Sequence, residues 1–262
     1  MNTLFIGQKT IRLKRTGSTN SYLTNLTAKE KLSEGTVVIT QMQERGKGQR
    51  GTFWESEPGK NLTLSILLEP TFLKPDEQFI LNKVVSLAVL EFVCLCLTSN
   101  SSPRGEEHKR SETAIKWPND IYIGTKKIAG ILIENSVSGN KLQQSIIGIG
   151  INVNQENFSK KLPNPTSFKI VSGKYFDLDE CLSQLFTCVE SRYLQLKAKH
   201  LEKSNKEYLQ NLYRFQEWAV YNYKGEKVKA KITGVTKIGK LVLEKENEKS
   251  LECDFKEVVF CN

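Results

Sequence analysis

Residues 116–134 read KWPNDIYIGTKKIAGILIE, and this stretch determines how the chain around it folds. Residues 120–123 and 127–134 are rich in apolar and β-branched side chains, which is typical of strands. Gly124 and Thr125 stand between the two runs as a tight turn. The stretch therefore predicts a β-hairpin, and it decides where the neighbouring charges meet.

Three charged side chains flank this hairpin. Pro118 has no backbone N–H and stiffens its turn, which holds Lys116 and Asp120 at defined positions. Because a hairpin returns on itself, we expect Lys127 to lie close to Lys116. Two converging ammonium groups beside glycine-rich backbone form a site for an anion. Asp120 would either hold a metal ion or orient one of the lysines.

The chain on both sides supplies further strands and helices. Residues 144–153 form a strand that carries the sequence IGIGINVN (147–154), whose glycines leave the backbone open to close approach. Alternating or β-branched patterns predict strands at 36–43 and 61–68, apolar periodicity predicts helices at 19–29, 76–97 and 179–200, and residues 99–113 read as a loop. The first helix has Thr19 as its expected N-cap. We therefore expect an α+β fold with a mixed sheet packed against helices.

The sequence changes character near Arg214. Residues 218–260 hold short alternating strands with glycines between them or at their ends. We therefore expect two domains, a ligand-binding domain of residues 1–214 and a small all-β module of residues 215–262.

Composition excludes several classes of protein. The chain has 262 residues and a net charge of 38 − 29 = +9, with 39% hydrophobic and 26% charged residues, which is neither a disordered nor a fibrous composition. Continuous apolar runs stay short of the ~18–20 residues of a membrane span. The N-terminal apolar residues precede the charges, the wrong order for a secretory signal, so we expect a cytoplasmic protein. Six cysteines without a CxxC pair, and only two histidines, give no transition-metal pattern.

The positive charge leaves one non-enzymatic alternative open. No helix-turn-helix, zinc finger or aromatic RNA-binding motif accompanies it. A nucleic-acid-binding module would use such a charge, but so would an anionic substrate or an acidic protein partner.

Residues 46–51, GKGQRG, match the dinucleotide-binding pattern G-x-G-x-x-G. That pattern requires a helix directly after the glycines, whereas TFWESEPG (52–59) and another strand follow here. We therefore interpret the segment as a glycine-rich loop between two strands. Lys47 and Arg50 supply positive charge, and Trp54 offers a flat surface for a ring.

Taken together, these segments resemble the biotin–protein ligases. The matches run in order through Ser18-Thr19-Asn20, Gln43, residues 46–65, residues 116–134 and residues 147–154, and they extend over nearly the whole chain. KWPND followed by KxAGILxE at this spacing is very specific, whereas the glycine loop alone is not. The family fold is a class II synthetase-like mixed sheet followed by a small SH3-like β-barrel. This agrees with the two domains expected at residues 1–214 and 215–262. Because Ser18 comes so early, we expect neither the winged-helix domain of the repressor members nor a DNA operator.

The resemblance implies a two-step reaction. Biotin and ATP, accompanied by Mg²⁺, would form biotinyl-AMP and pyrophosphate, and biotin would then pass to one lysine of a biotin carboxyl carrier domain. No DNA or membrane partner is implied, and the protein would be a monomer or a homodimer.

The resemblance also assigns roles to residues. Biotin would be bound by Ser18, Thr19, Asn20, Gln43, Lys47, Gly48, Gln49 and Lys127, and ATP or the adenylate by Gly46, Arg50, Trp54, Lys116 and Asn152. Trp54 would cover the adenine, with Asn152 at its edge. Lys116 would bridge the biotin carboxylate and the α-phosphate, and Lys127 would hold the carboxylate or the acyl phosphate. Asp120 completes the catalytic set as the carboxylate nearest either to the incoming lysine or to a Mg²⁺ that is bound mainly by the ATP phosphates.

One departure from the family pattern affects the loop. The family loop usually reads G-R-G-R-x-G, and here Lys47 and Gln49 stand at the arginine positions. Arginine offers a two-pronged donor, lysine a point charge and glutamine no charge, so we expect weaker closure over the adenylate.

A lipoate–protein ligase is the alternative enzyme, because it shares the fold and the adenylation step. The polar set of Ser18-Thr19-Asn20 with Gln43 suits the ureido ring of biotin better than the apolar lipoyl chain. The arginine-rich triple-glycine stretch typical of that family is not found.

Overall fold

The protein is described by a computed structural model that covers residues 3–98, 112–246 and 250–261. Seven strands form a mixed sheet: β1 (Thr10–Leu13), β2 (Val37–Thr40), β3 (Leu62–Leu68), β4 (Thr113–Lys116), β5 (Asp120–Ile123), β6 (Lys126–Ser138) and β7 (Lys141–Ile151). Their order across the sheet is β1-β2-β3-β7-β6-β5-β4. β1 and β2 are parallel, and the other neighbouring pairs are antiparallel. The predicted hairpin is the β5–β6 pair.

Helices pack against this sheet. They are α1 (Thr19–Thr27), α2 (Gln78–Thr98), α3 (Phe168–Ser172), α4 (Leu178–Lys197) and α5 (Leu201–Gln210). Most of α2 is buried, because its apolar residues surround the helix and contact α4, α5 and strands β4, β5 and β6. By length and composition, the segment Pro75–Thr98 is apolar enough to cross a membrane, although no single apolar run in it is long. However, 72% of its most apolar window is buried within the protein, as in a core helix.

One buried cation lies in α2. The side chain of Lys83 is 6% exposed, and its Nζ donates a hydrogen bond to Asn205 Oδ1 at 2.9 Å. The same ammonium lies 5.6 Å from the ring centres of both Phe79 and Tyr208. Burial lowers the pKa of Lys83 from 10.5 to about 8.

Five further strands form a second, antiparallel sheet at the end of the chain. They are β8 (Trp218–Tyr223), β9 (Glu226–Val235), β10 (Leu241–Lys245), β11 (Leu251–Cys253) and β12 (Val258–Phe260), in the order β11-β10-β9-β8-β12. This sheet fits the predicted small barrel, and with the first sheet it confirms the predicted fold class. The domain boundary at residue 214 remains a prediction.

The turn between β9 and β10 joins the two sheets. Trp117 Nε1 donates a hydrogen bond to the carbonyl oxygen of Gly239 at 3.0 Å. A Cβ at Gly239 would lie 2.3 Å from the ring of Phe79, so the turn packs directly on the start of α2. Lys237 Nζ also lies 2.7 Å from Asp76 Oδ2, just before that helix. Buried apolar residues of both sheets belong to one continuous core.

The sequence located the long elements and missed some short ones. The predicted helices at 19–29, 76–97 and 179–200 and the predicted strands are confirmed, with ends that differ by a few residues. Ser18, not Thr19, is the N-cap of α1, because its hydroxyl accepts the backbone N–H of Ser21 at 3.5 Å. The sequence did not predict β1, β4, β11, α3 or α5. Of the predicted loop at 99–113, residues 99–111 lie outside the described residues, and Thr113 belongs to β4.

Candidate active site

A cavity of about 680 Å³ lies over the middle of the first sheet. The glycine loop, the segment 158–165 and the last part of the second sheet form its walls. The predicted site residues that line it are Ser18, Thr19, Asn20, Gln43, Lys47, Gly48, Gln49, Trp54, Lys116, Asp120, Lys127 and Asn152. Residues far apart in sequence, predicted as one site, therefore share one cavity.

Two predicted residues stand apart from this set. Gly46 is not part of the lining, but a Cβ there would lie 2.2 Å from the carbonyl oxygen of Trp54 and 2.8 Å from Gln43 Nε2. It therefore acts through the close packing of the loop. Arg50 belongs to a short 3-10 turn, Gln49–Gly51, and its side chain lies outside the described part of the structure.

One end of the cavity is a network of polar side chains at the start of α1. Gln43 Oε1 accepts the backbone N–H of Thr19 at 2.8 Å and its hydroxyl at 3.1 Å. The hydroxyl of Ser65 lies 2.8 Å from Thr19 Oγ1 and 2.6 Å from Asn20 Oδ1. Asn20 Nδ2 donates to Glu134 Oε2 at 2.7 Å. Each polar side chain is fixed by another, so this end of the cavity is preorganised for a polar ligand group.

Glycines in adjacent strands form the floor. Gly130 on β6 and Gly150 on β7 are directly paired, and a Cβ at Gly150 would lie 2.3 Å from the indole of Trp54. A Cβ at Gly148 would lie 2.3 Å from Asn20 Oδ1. These distances are far below van der Waals contact, so only glycine lets the two side chains lie on the sheet.

The glycine loop forms a small hairpin over one side of the cavity. The backbone N–H of Gly48 donates to the carbonyl of Thr52 at 2.8 Å, and the N–H of Trp54 donates to that of Gly46 at 3.0 Å. The short 3-10 turn Gln49–Gly51 lies within the glycine segment, and residues 52–61 contain no helix before β3, so the loop interpretation is confirmed. Lys47 Nζ lies 3.8 Å from Glu134 Oε1. Weaker closure over an adenylate remains a prediction.

The two lysines of the site have different electrostatic partners. Lys127 Nζ forms an ion pair with Asp120 Oδ2 at 2.7 Å. Asp120 is also the residue opposite Lys116 in the β4–β5 pair, so the three groups converge as expected. Among the residues that the structure describes, no carboxylate oxygen lies within 4.0 Å of Lys116 Nζ.

Lys116 is held by aromatic groups instead. Its Nζ donates a 3.4 Å hydrogen bond to the hydroxyl of Tyr122, and it lies 4.8 Å from the ring centre of Tyr122 and 5.0 Å from that of Phe260. Burial lowers the pKa of Lys116, and the charges of Lys127 and Arg214 act in the same direction, whereas Asp120 opposes them. Lys116 thus offers a partly desolvated positive charge without a carboxylate contact from the described residues.

Two buried polar atoms in the lining lack a hydrogen-bond partner among the described residues. Asn152 Nδ2 donates to the carbonyl of Thr166 at 2.9 Å, but Asn152 Oδ1 has no donor. Trp54 Nε1 has no acceptor. Leaving such atoms unsatisfied is costly, so both fit a ligand that offers a donor and an acceptor.

Sequence reasoning missed four residues of this site. Glu134 and Tyr122 lie inside the quoted segment 116–134, and Ser65 ends the matched segment 46–65, so each was within reach of motif reasoning. Phe260 lies far from every motif, and no local pattern connects it to Lys116.

Comparison with known proteins places these observations in a family context. The sequence profile of the biotin/lipoate A/B protein ligase family matches residues 13–152. The chain is 34% identical over 164 residues to the bifunctional ligase/repressor BirA of Bacillus subtilis, covering 61% of this chain and 46% of that protein. It is 34% identical over 141 residues to the biotin–[acetyl-CoA-carboxylase] ligase of Paracoccus denitrificans, covering 54% and 53% respectively. The chain thus spans about half the length of the curated relatives it matches.

Solved structures match over almost the full length. The biotin protein ligase from Aquifex aeolicus in complex with biotin and ATP superposes with a TM-score of 0.74 at 26% identity, covering 96% of this chain and 98% of that chain. The biotin protein ligase from Leishmania major in complex with biotinyl-5-AMP gives a TM-score of 0.67 at 18% identity, covering 94% and 99%, a likeness of fold. Both comparisons cover the second sheet as well as the first.

Proposed function

Since the chain belongs to the biotin/lipoate A/B protein ligase family, we propose that it is an ATP-dependent ligase that attaches biotin to a protein lysine. In the first step a carboxylate oxygen of biotin attacks the α-phosphorus of ATP, and pyrophosphate leaves. In the second step a lysine amine of a biotin carboxyl carrier domain attacks the acyl carbon of biotinyl-AMP. An amide bond forms, AMP leaves and a proton is released.

The observation that carries this proposal is the unneutralised ammonium of Lys116. A carboxylate and a triphosphate repel each other, so the first step needs fixed positive charge between them. Lys116 would bridge the biotin carboxylate and the α-phosphate and stabilise the charge that develops at phosphorus. Low exposure to water strengthens that interaction.

The remaining residues would bind and orient the substrates. Thr19, Asn20 and Gln43 form a polar network at the start of α1, whose N-cap is Ser18. These residues offer the donors and acceptors that a ureido ring requires. Lys127, oriented by Asp120, would hold the acyl phosphate. The glycine loop would cover the adenylate and exclude water from this hydrolysable anhydride.

The orphaned atom Asn152 Oδ1 supports an adenine at this part of the cavity. The amino group at an adenine edge would supply the donor that this oxygen lacks. The indole of Trp54 would also present a flat face to the ring.

Mg²⁺ would enter with ATP as part of the substrate. Among the described residues, no group of three or more His, Cys, Asp or Glu side chains is arranged for a metal ion, and the carboxylate of Asp120 is engaged by Lys127. The ATP phosphates and water would therefore supply most of its ligands, and the ion would offset phosphate charge. We propose for Asp120 the role of orienting Lys127.

The cellular setting is part of the same proposal. Carrier domains of biotin-dependent carboxylases would be the protein partners, in the cytoplasm, without a DNA or membrane partner. The name of the Paracoccus relative, a ligase of acetyl-CoA carboxylase, supports this choice of partner.

ATP–pyrophosphate exchange with the purified protein and Mg²⁺ tests the proposal. We expect exchange with biotin, none with lipoate, and loss of exchange in Lys116→Ala with an unchanged melting temperature. Exchange with lipoate alone would identify the lipoate alternative. Silence with both acids, together with steeply salt-dependent binding to DNA, would replace the enzyme with a nucleic-acid-binding module.

A further inference from the structure

The ammonium of Lys116 lies among aromatic rings from distant parts of the chain. Tyr122 on β5 belongs to the same sheet as Lys116, whereas Phe260 lies on β12 in the second sheet. Both ring centres are within 5.0 Å of the nitrogen, inside the range of cation–π attraction. The ring of Tyr213 lies 6.0 Å from that of Tyr122 and 6.1 Å from that of Phe260, so it connects the two.

Phe260 is itself held firmly. It lies opposite Tyr221 in the β8–β12 pair, and the two rings meet edge to face at 5.3 Å. The next residue, Cys261, donates its backbone N–H to the carbonyl of Val220 at 3.2 Å and accepts a 2.7 Å hydrogen bond from Arg214 Nη1. The ring therefore has one fixed position beside Lys116.

Aromatic rings can orient the ammonium of Lys116 without cancelling its charge, which a carboxylate could not do. A carboxylate orients an ammonium but cancels its charge and competes with any phosphate, and Asp120 has this relation to Lys127. A ring face attracts the ammonium through its quadrupole and leaves the positive charge available to an anion. The two lysines of one cavity therefore differ: Lys127 shares its charge with Asp120, whereas Lys116 has no carboxylate oxygen of the described residues within 4.0 Å.

We propose that Phe260 is a positioning residue that, with Tyr122, holds the ammonium of Lys116 ready for the nucleotide phosphate without neutralising it. This inference rests on the proposed function, since it assigns the phosphate contact to Lys116. Phe260 lies on β12, the last strand of the second sheet. Through this ring, the second sheet would contribute to the formation of biotinyl-AMP.

Variants of Phe260 test the proposal through the kinetics of biotin-dependent ATP–pyrophosphate exchange. Phe260→Leu keeps an apolar side chain but removes the ring, and we expect kcat/KM for ATP to fall about tenfold. Phe260→Tyr keeps a ring and should stay within about threefold of the wild type. Val220→Ala is the matched control, because Val220 is an exposed residue on the strand next to Phe260 and lies outside the cavity.

A double-variant cycle separates positioning from general damage. In a Lys116→Met background, Phe260→Leu should cause no further loss in ATP affinity, measured by calorimetry. Equal losses with and without Lys116, or equal losses in the Leu and Tyr variants of Phe260, would overturn the proposal. If Phe260→Leu fails to fold, Tyr122→Leu compared with Tyr122→Phe repeats the ring test from the other side.

ATP affinity also keeps the two proposals apart. If the wild type shows no exchange with biotin, the proposed function fails whatever the Phe260 variants do. A loss of ATP affinity in Phe260→Leu that depends on Lys116 would still support the aromatic positioning of this lysine.

Discussion

At the scale of single residues, three lysines that are partly or fully buried are distinguished by their partners. Lys127 is paired with a carboxylate, and Lys116 is surrounded by rings. Lys83 is a third case, an ammonium beside two rings and one amide oxygen with no carboxylate among its described contacts. Its lowered pKa shows that folding disfavours its charged form.

This predicts a pH dependence of stability. Between about pH 8 and the ordinary value of 10.5, Lys83 is largely neutral in the folded protein and charged in the unfolded chain. The unfolded state then binds more protons, so this group makes the free energy of unfolding rise with pH in that window. Urea unfolding at pH 7 to 9.5 should show this rise in the wild type relative to Lys83→Met.

The matched control is Lys206→Met on α5, because that lysine is exposed. It should follow the wild type at every pH. If the difference between the wild type and Lys83→Met is the same at pH 7 and pH 9.5, Lys83 keeps its proton on folding.

Sequence motifs predict site residues well where the residues that share a site also lie close together in the chain. Lys116, Asp120 and Lys127 belong to one hairpin and its preceding turn, so their meeting could be predicted from spacing alone. The pairing of Asp120 with Lys127 rather than with Lys116 could not, because Lys116 is the direct cross-strand partner of Asp120 and only the packing of the side chains decides which lysine reaches its carboxylate. Phe260 reaches the site only through the packing of the second sheet.

At the scale of elements, β6 and β7 form the floor of the cavity because both strands have glycines there. Gly130 and Gly150 leave room for an indole where another sheet would have a layer of apolar groups. The backbone of the two strands therefore lies close to the indole of Trp54 and to the ligand that this indole would cover.

Gly150→Ala should therefore abolish most activity. Its new Cβ would lie 2.3 Å from Trp54 Cε2, so the indole must move, and a displacement of about 1 Å in a site can cost about 100-fold in rate. Biotin-dependent exchange measures this loss. Gly234→Ala on β9 is the control, since its Cβ meets nothing closer than 4.0 Å, and near-wild-type exchange is expected there. Equal activity in the two variants would show that Trp54 is free to shift.

The elements that the sequence did not reveal are short or polar. β1 reads TIRL between lysines and arginines, and it becomes a strand because β2 offers a parallel edge. α5 reads LEKSNKEYLQ and buries only Ser204 and Tyr208, and its ten residues are too few and too polar for a long apolar stripe. Their positions are decided by tertiary contacts rather than by local preference.

At the scale of the whole molecule, the two sheets form one unit. The turn at Gly239 contacts both the turn that follows Lys116 and the start of α2. The cavity also takes part of its wall from residues 255–260. The sequence predicted the second sheet but left open whether it closes the ATP site or docks the acceptor domain, because composition carries no information about how two modules dock.

We expect Gly239→Ala to destabilise both sheets together. Gly239 has φ +96° and its Cβ would collide with Phe79, so strain and overpacking should lower the free energy of unfolding by about 2–4 kcal/mol. Hydrogen exchange should report equal losses of protection in β7 and β9. Gly225→Ala has the same φ of +96° with nothing within 4 Å, so it isolates the strain from the contact. Loss of protection confined to β8–β12 would mean that the sheets unfold separately.

The glycine floor has a consequence for inhibitor design. A compound in the cavity would contact Asn20 and Trp54, whose positions depend on the glycines beneath them. Any larger residue at Gly148 or Gly150 would strike the protein's own Asn20 or Trp54 before it reached the compound. Drug resistance at the floor would therefore carry its own penalty in fitness, and escape mutations would have to arise in the glycine loop or at the rim of the cavity.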